Sequence, residues 1–376
     1  MKKRAVVFPY NEESGSLLRH HDLLAEYEVI AAVSPVGMGL TGKDAGNAYG
    51  GEALHLTVYS SIASLECDYD TVIIADPGIE IDMSEHILSE VIPAIQSQKS
   101  IVCLYKLNKQ ALYKLQEMCD SQGIPLIALM NGANRKQTEL SKLAETDDER
   151  LTDIQTPMLL VAGLFENTNK FDIQLCLRRY FLQQGYNVSQ IGTRSYCELF
   201  GFHSFPEVMF SNIPEWQKII FFNHLCRGIE MAEKPDLIII GVPGGIMPYN
   251  KELTNRFGVL AYEIANAVTP DGVVMSILYE DVNELYLENI CASAKYKLGF
   301  EIDCFNYSNH KLDIHSSKRE QKKSFITLGT ERVEHKKKSL AHMNIPVFNS
   351  LNSEDCIHMP KLLENKLAGY AETLIM

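Results

Sequence analysis

The segment with the clearest potential for chemistry lies near the middle of the chain, at residues 163–171. It reads Gly-Leu-Phe-Glu-Asn-Thr-Asn-Lys-Phe and begins at the last residue of the apolar run 158–163. In a phosphate loop, backbone N–H groups, the N-terminus of the following helix and one lysine converge on phosphate oxygens. Because Lys170 stands between a predicted strand and a predicted helix, the loop is either an anion site or a structural relic of a nucleotide-binding fold.

A second segment, residues 37–44, spells Gly-x-x-x-x-Gly-Lys more closely, with Gly37, Gly42, Lys43 and then Asp44 in place of serine or threonine. It follows the second predicted strand, but the next residues contain three more glycines and no convincing helical pattern. A phosphate loop needs a helix at this point. We therefore interpret the segment as a glycine-rich loop at the carboxyl edge of a sheet, where α/β proteins often place ligands.

Reactive side chains are dense in a third segment, residues 190–207, which follows a predicted strand. Thr193 and Arg194 suit an anion because a guanidinium donates charge-assisted hydrogen bonds. Several residues here and shortly after it are of metal-binding types, but their spacings fit no zinc pattern, so we predict no metal. A nucleophilic cysteine with a histidine base is a further alternative. The side chains concerned are Cys197, His203, Glu207, His224 and Cys226.

The elements around these segments alternate between short β-branched runs and longer amphipathic stretches, which is typical of βαβ units with a parallel sheet. In the first half we predict strands at residues 4–8, 27–34, 55–59, 70–76, 100–105 and 125–129, and helices at 85–98 and 109–122. This half is predicted to be a Rossmann-like α/β domain. Residues 131–155 are polar and interrupt the alternation, which indicates a boundary.

The alternation restarts at residue 157. We predict strands at 158–163, 186–192, 235–241, 273–278, 300–307, 324–329 and 345–350, with helices near 172–184, 224–232, 285–296, 335–343 and from 354. The predicted fold class is therefore α/β throughout, with a Rossmann-like domain at 1–135, a linker at 136–155 and a second, P-loop NTPase-like domain at 156–376. Ligands in such folds bind at the carboxyl ends of the strands.

Composition narrows the classes of function. The 376 residues carry a formal charge of -13, which argues against nucleic-acid binding as the main task. No window is long and apolar enough for a membrane span or a secretion signal, and nine scattered cysteines without a CxxC pair favour reduced thiols, so we predict a cytoplasmic protein. Residues 311–338 hold nine Lys or Arg against four Asp or Glu, either as a solvated face or as a docking surface for an acidic partner.

The second half resembles the dethiobiotin synthetase and cobyrinic acid amidotransferase group of P-loop proteins. In that alignment Gly163 and Lys170 are kept, Asn169 replaces the second glycine and Phe171 replaces the magnesium-binding threonine. The group also has a strand that starts with Asp and ends in Glu-Gly-Ala-Gly-Gly, where this chain has Gly241 in place of the metal-linked glutamate. The resemblance implies binding of ATP or another nucleotide without a normal magnesium site, at Gly163, Asn169, Lys170, Phe171, Asp236, Gly244 and Gly245.

Four phrases, at residues 33–54, 163–174, 190–207 and 234–248, resemble the clostridial peptide maturation system proteins, which accompany Cys-rich ribosomal peptides. The resemblance implies an accessory role in peptide maturation, with the precursor peptide and a radical SAM maturase as partners. The chain lacks the CxxxCxxC cluster of a radical SAM enzyme itself. Two alternatives stay open: a non-enzymatic scaffold for the peptide or the maturase, and an ATP-dependent ligase-like enzyme.

Overall fold

The chain forms two compact units in a computed structural model that describes residues 1–35, 37–79, 81–129, 148–320 and 323–375. The first unit contains the described residues up to 129 together with Glu198–Gly201, and the second contains 148–197 and 202–375. Most of the predicted linker, 136–155, lies outside the described ranges. Among the described helices, none combines the length and the apolar character that crossing a bilayer requires.

The first unit is built on a parallel sheet with the strand order β3-β2-β1-β4-β5-β6, which is the order of a doubly wound Rossmann sheet. Its strands are β1 (Lys3–Phe8), β2 (Tyr27–Val33), β3 (Val58–Tyr59), β4 (Thr71–Ile74), β5 (Ser100–Cys103) and β6 (Leu126–Ala128), and its helices are α1 (Gly15–Arg19), α2 (Ala45–Ala48), α3 (Ser84–Gln96) and α4 (Lys109–Gln122). Asn108 starts α4 by accepting a 2.8 Å hydrogen bond from Ala111 N. The predicted α/β class is confirmed.

The glycine-rich loop of the first unit is organised by its own aspartate. Asp44 Oδ1 accepts hydrogen bonds from the backbone N–H groups of Gly46 at 2.8 Å and Leu54 at 3.0 Å, and Asp44 Oδ2 accepts one from Leu56 N at 3.2 Å. The helix that follows Asp44 in the chain, α2, has only four residues. Since this carboxylate turns into its own loop, the Gly-x-x-x-x-Gly-Lys spelling forms a structural turn and does not have the geometry of a phosphate loop.

The second unit has a seven-stranded parallel sheet with the order β15-β12-β11-β7-β10-β8-β9, and a separate two-stranded antiparallel sheet of β13 and β14. The strands are β7 (Met158–Gly163), β8 (Val188–Gly192), β9 (His203–Ser204), β10 (Leu237–Gly241), β11 (Gly272–Ile277), β12 (Cys304–Tyr307), β13 (His310–Leu312), β14 (Phe325–Thr327) and β15 (Val347–Phe348). Central β7 pairs with β10 on one side and β11 on the other. All main-sheet strands therefore end at one edge.

Two helical layers cover this sheet. The helices are α5 (Lys170–Gln183), α6 (Glu215–Glu233), α7 (Val259–Ala267), α8 (Glu284–Leu298), α9 (Ile314–Glu320), α10 (Thr330–Ser339) and α11 (Asp355–Ile375). Residues 158, 160 and 162 of β7 face a core shared with α6, α7 and α8, whereas residues 159 and 161 face α5 and α11. This alternation follows from the two-residue period of a strand, and it explains why β7 is apolar on both faces.

The region around the basic stretch 311–338 differs from its sequence prediction. The strand predicted at 324–329 does not join the main sheet, because it pairs with β13 in the separate two-stranded antiparallel sheet. Several of its cations are in ion pairs: Lys318 with Glu252, Arg319 with Glu320, Lys323 with Glu166, Lys336 with Asp281, and Lys337 with Glu334 and Asp355. These pairs favour the solvated-face interpretation.

The prediction that every cysteine is an unpaired thiol is wrong for one pair. Cys176 in α5 and Cys356 in α11 form a disulfide with a Cα–Cα distance of 5.1 Å. The two residues are 180 positions apart in sequence, so their spacing gave no indication of the pair. Five of the seven other thiols are buried, Cys67 and Cys291 are partly exposed, and burial raises the pKa of Cys103 to about 11.

Candidate functional site

The segment 164–169 connects β7 to α5 at the carboxyl edge of the second sheet, as the sequence predicts for a phosphate loop. The loop starts where Leu164 N donates a 2.8 Å hydrogen bond to Ser276 O, at the end of the neighbouring strand β11. It folds back over Gly163 so closely that a Cβ there would lie 2.6 Å from Thr168 Oγ1 and 2.7 Å from Phe165 O. Glycine is therefore required at this position by close contact.

The backbone of this loop presents a row of hydrogen-bond donors. In the described part of the chain, the N–H groups of residues 165–170 donate to no protein acceptor. Asn167 and Asn169 have positive φ angles of 52° and 56°. Left-handed residues in a turn can bring successive N–H groups to one concave side, which is an anion-binding arrangement. The N-terminus of the 14-residue helix α5 adds its dipole at the same place.

Lys170, the first residue of α5, is only 8% exposed. Its Nζ donates to Phe165 O at 3.1 Å and to Gly244 O in the loop after β10. An ammonium group has three hydrogens, so one remains for a ligand. Burial lowers the pKa of Lys170 to about 7, with Glu166 opposing the shift and Arg194 adding to it. A phosphate beside Nζ would favour the charged amine, because an opposite charge stabilises it.

The loop is held in shape by three residues that the sequence did not single out, Ser276, Ser308 and Asn309. Asn169 Oδ1 accepts hydrogen bonds from Ser308 Oγ at 2.5 Å and from Asn309 N at 3.2 Å, just after β12. Ser276 Oγ donates to Thr168 O. Asparagine tolerates the left-handed conformation better than other non-glycine residues. Asn169 therefore holds a left-handed backbone position and anchors it to the residues that follow β12.

The loop after β10 completes the site with Gly244 and Gly245. A Cβ at Gly245 would lie 2.8 Å from Leu164 O and 2.9 Å from Phe165 Cα, so the two loops touch through their backbones. Ile246 N also donates a 3.0 Å hydrogen bond to Gly163 O. The structure thus brings together Gly163, Asn169, Lys170 and this glycine pair, although residue 169 and residue 244 are far apart in sequence.

At the two positions where the resembled synthetases have magnesium ligands, this chain has Phe171 and Gly241. The ring of Phe171 is buried between aromatic neighbours, with its centroid 5.7 Å from that of Tyr196 and 6.3 Å from that of Phe202. A Cβ at Gly241 would lie 2.4 Å from Oε1 of Gln174, whose side chain is fully buried. Neither Phe171 nor Gly241 has a side-chain oxygen that could bind magnesium. The side chain of Gln174 also occupies the space that a glutamate at position 241 would need. The residues present do not fit the metal arrangement of the resembled group.

The other predicted ligand residues divide into two groups. Thr193 lies after β8 and is close to the loop helix, since Gln174 Nε2 is 3.4 Å from its Oγ1. Arg194 is close enough to lower the pKa of Lys170.

Asp236 precedes β10 and therefore lies at the opposite, amino-terminal edge of the sheet, roughly 15 Å from the site at about 3.3 Å per residue. There its carboxylate accepts a hydrogen bond from Asn187 N at 2.8 Å. We correct the assignment of Asp236 to the site.

The cysteine and histidine side chains of the third segment are engaged separately. His203 Nε2 lies 2.5 Å from Glu233 Oε1, and His224 Nε2 lies 2.9 Å from Arg150 O. Cys197 Sγ donates to Arg194 O, and Cys226 is buried in the core. Among the described residues, no three His, Cys, Asp or Glu side chains cluster around a possible metal position. His203 is thus held by a carboxylate of α6.

Comparison with known proteins indicates the fold and no more. No protein-family model and no curated protein sequence matches the chain. Among solved structures, a DUF1611 family protein from Anabaena variabilis is similar over 97% of this chain and 100% of its own, with a TM-score of 0.58 and 12% identity. Chloroplast FtsY from Physcomitrella patens aligns with 61% of this chain and 75% of its own at 14% identity, but its TM-score of 0.25 is too low to support an argument.

Proposed function

We propose that the second unit binds the phosphate group of a nucleotide or of another phosphate ester at residues 164–170. The observation that carries this proposal is that the loop has six backbone N–H groups without protein acceptors and that the buried amine of Lys170 lies against the same loop, 3.1 Å from Phe165 O. Both kinds of donor complement phosphate oxygens, and the dipole of α5 adds to their effect. Thr193 and Arg194 lie near enough to extend the site toward a second phosphate.

The proposal does not include metal-dependent hydrolysis or ligation. Phosphoryl transfer normally relies on magnesium to neutralise charge that develops on the phosphate oxygens. Phe171 and Gln174 fill the positions where the resembled synthetases hold that ion. Binding through N–H groups and one lysine needs no metal, so the site is suited to holding a phosphate ester in place.

Titration calorimetry with tripolyphosphate, ATP and GTP, each with and without magnesium, tests the phosphate site. Wild-type protein is expected to bind at least one of them equally well without magnesium. Lys170→Ala is expected to weaken binding about tenfold to a hundredfold, because a charge-assisted hydrogen bond contributes about 1.5–3 kcal/mol. The matched control is Lys295→Ala, which removes an exposed lysine paired with Glu301. Absence of binding in wild type, or equal loss in both variants, would exclude the proposal.

We further propose that this binding serves the maturation of a ribosomally made, Cys-rich peptide, as the resemblance of the four sequence phrases implies. The precursor peptide and a radical SAM maturase are the proposed partners. A strain without this protein is expected to release or accumulate the unmodified precursor, which mass spectrometry of cell extracts and medium would detect. A strain that carries Lys170→Ala separates the phosphate site from a purely scaffolding role, since a scaffold would still support the modification.

A further inference from the structure

A cavity of about 400 Å³ adjoins the phosphate loop within the second unit. Glu166 of the loop, Gly244 and Gly245 form part of its wall, and the helices α6 and α7 contribute Lys218 and Glu263. The cavity therefore shares backbone with the phosphate site, because the carbonyl of Gly244 accepts a hydrogen bond from Lys170. Its volume is in the range of small-molecule sites.

Glu263 in this wall is only 1% exposed. It forms an ion pair with Lys218, whose Nζ lies 3.6 Å from Glu263 Oε1, beyond hydrogen-bond distance, and Glu215 is a neighbour of like charge. Burial raises the pKa of Glu263, with Lys218 opposing the shift. A buried carboxylate that receives no hydrogen bond is costly, since burial removes its hydration. A ligand that donates to Glu263 would offset this cost.

The rim of the cavity is formed by a strained turn. Asn255, Arg256, Phe257 and Gly258 are consecutive left-handed residues, with φ angles of 48°, 49°, 57° and 71°. Each non-glycine residue in this conformation costs about 1–2 kcal/mol. Asn255 Nδ2 secures the turn by donating to Met247 O at 2.9 Å. The turn brings Arg256 to the cavity, and strain of this kind is concentrated at functional sites.

Of the charged side chains that line the cavity, one basic side chain has no acidic partner among the residues that the structure describes. Lys323 forms an ion pair with Glu166 at 2.7 Å, and Lys218 is the neighbour of Glu263. Arg256 has no acidic partner within 4.0 Å in the described parts of the chain. The cavity therefore combines a buried acceptor, Glu263, with a guanidinium at its rim that suits a carboxylate.

We propose that this cavity binds a small molecule with an amino group and a carboxylate, such as a free amino acid. The amino group donates to Glu263 in the wall, and the carboxylate is held by Arg256 at the rim. The site lies beside the phosphate loop, and of loop residues 164–170 only Glu166 lines it. The second unit thus holds two ligands next to each other, a phosphate ester and an amino-carboxylate.

Saturation-transfer NMR with the twenty free amino acids as probes tests this site. Wild type is expected to transfer saturation to at least one of them at millimolar concentration. Acetylation of the amine or amidation of the carboxylate is expected to weaken that interaction about tenfold, since each removes one charge-assisted hydrogen bond. Glu263→Gln is expected to weaken it to a similar extent, because the amide keeps the size of the side chain and removes its charge.

The variant Arg256→Gly distinguishes a loss of amino-acid binding from a loss of folding stability. Glycine adopts the left-handed conformation at little cost, so the melting temperature is expected to stay the same or to rise, while amino-acid binding falls at least tenfold. Tripolyphosphate titration of the same variants is expected to match wild type, which keeps failure of this site distinct from failure of the phosphate site. No saturation transfer in wild type, or unchanged transfer in both variants, would overturn the proposal.

Discussion

Replacing Gly241 by glutamate, the residue of the resembled synthetases, is expected to lower the free energy of unfolding of the second unit by more than about 4 kcal/mol. Even a Cβ at this position would lie 2.4–2.5 Å from three atoms of the Gln174 amide. That amide is fully buried and donates a 3.1 Å hydrogen bond to Lys170 O, so it has little freedom to move. The new carboxylate would also be buried. Urea unfolding followed by circular dichroism measures the loss.

A double-mutant cycle identifies the cause of this loss. Gly241→Ala alone is expected to cost about 1–3 kcal/mol by overpacking. In the background of Gln174→Ala, which removes the contacting amide, the same change is expected to cost almost nothing, which gives a coupling of about 1–3 kcal/mol. Additive effects of the two alanine substitutions would show that Gln174 does not occupy the space beside Gly241, and the account of the missing magnesium ligand would then fail.

Gly258→Ala is expected to cost more than about 3 kcal/mol and to weaken phosphate binding as well. The residue has a φ of 71°, and a Cβ there would lie 2.0 Å from Ile246 O and 2.4 Å from Ile246 C. These are backbone atoms, so no rotamer change relieves the contact. Displacement of Ile246 also displaces Gly244, whose carbonyl accepts a hydrogen bond from Lys170. Unfolding in urea and titration with tripolyphosphate measure the two effects.

Gly299→Ala is the matched control for this variant. Gly299 follows α8 with a similar φ of 80°, but a Cβ there would meet nothing within 4 Å. Its replacement therefore reports the conformational cost alone, about 1–2 kcal/mol, and leaves phosphate binding unchanged. If both glycine variants lose the same stability and bind tripolyphosphate equally well, the contact between residue 258 and the loop after β10 has no energetic importance.

Most of the secondary structure could be read from local patterns, but α7 (Val259–Ala267) was not predicted and α6 begins at Glu215, nine residues before the predicted start at 224. The amphipathic period and the Gly-Ile-Pro stop predict α4 at 109–122, as observed. The apolar run at 158–163 predicts β7. The predicted strand at 300–307 is shortened to β12, Cys304–Tyr307, because its first residues lead from α8 into the sheet. Strand pairing was harder, since β14 has the composition of a sheet strand but pairs outside the main sheet.

The candidate site was predicted in part. The strand-loop-helix order predicted that Lys170 lies where the helix after β7 begins, as observed, whereas ligand binding by Lys170, Gly244 and Gly245 stays a prediction. Asp236 was assigned by resemblance, although it starts β10 and parallel strands place their first residues at the opposite edge. Gln174 was missed because a glutamine one turn into an apolar helix gives no signal of the glycine that it will face.

The sequence by itself determined most of the strands and helices and that a lysine-bearing loop joins β7 to α5, because periodicity and turn residues act over a few neighbouring positions. The tertiary structure alone decided what surrounds that loop. It paired Cys176 with Cys356, set the amide of Gln174 against Gly241 and placed Glu263 and Arg256 around one cavity. These contacts join residues that are distant along the chain, and they depend on how strands and helices pack once they have formed.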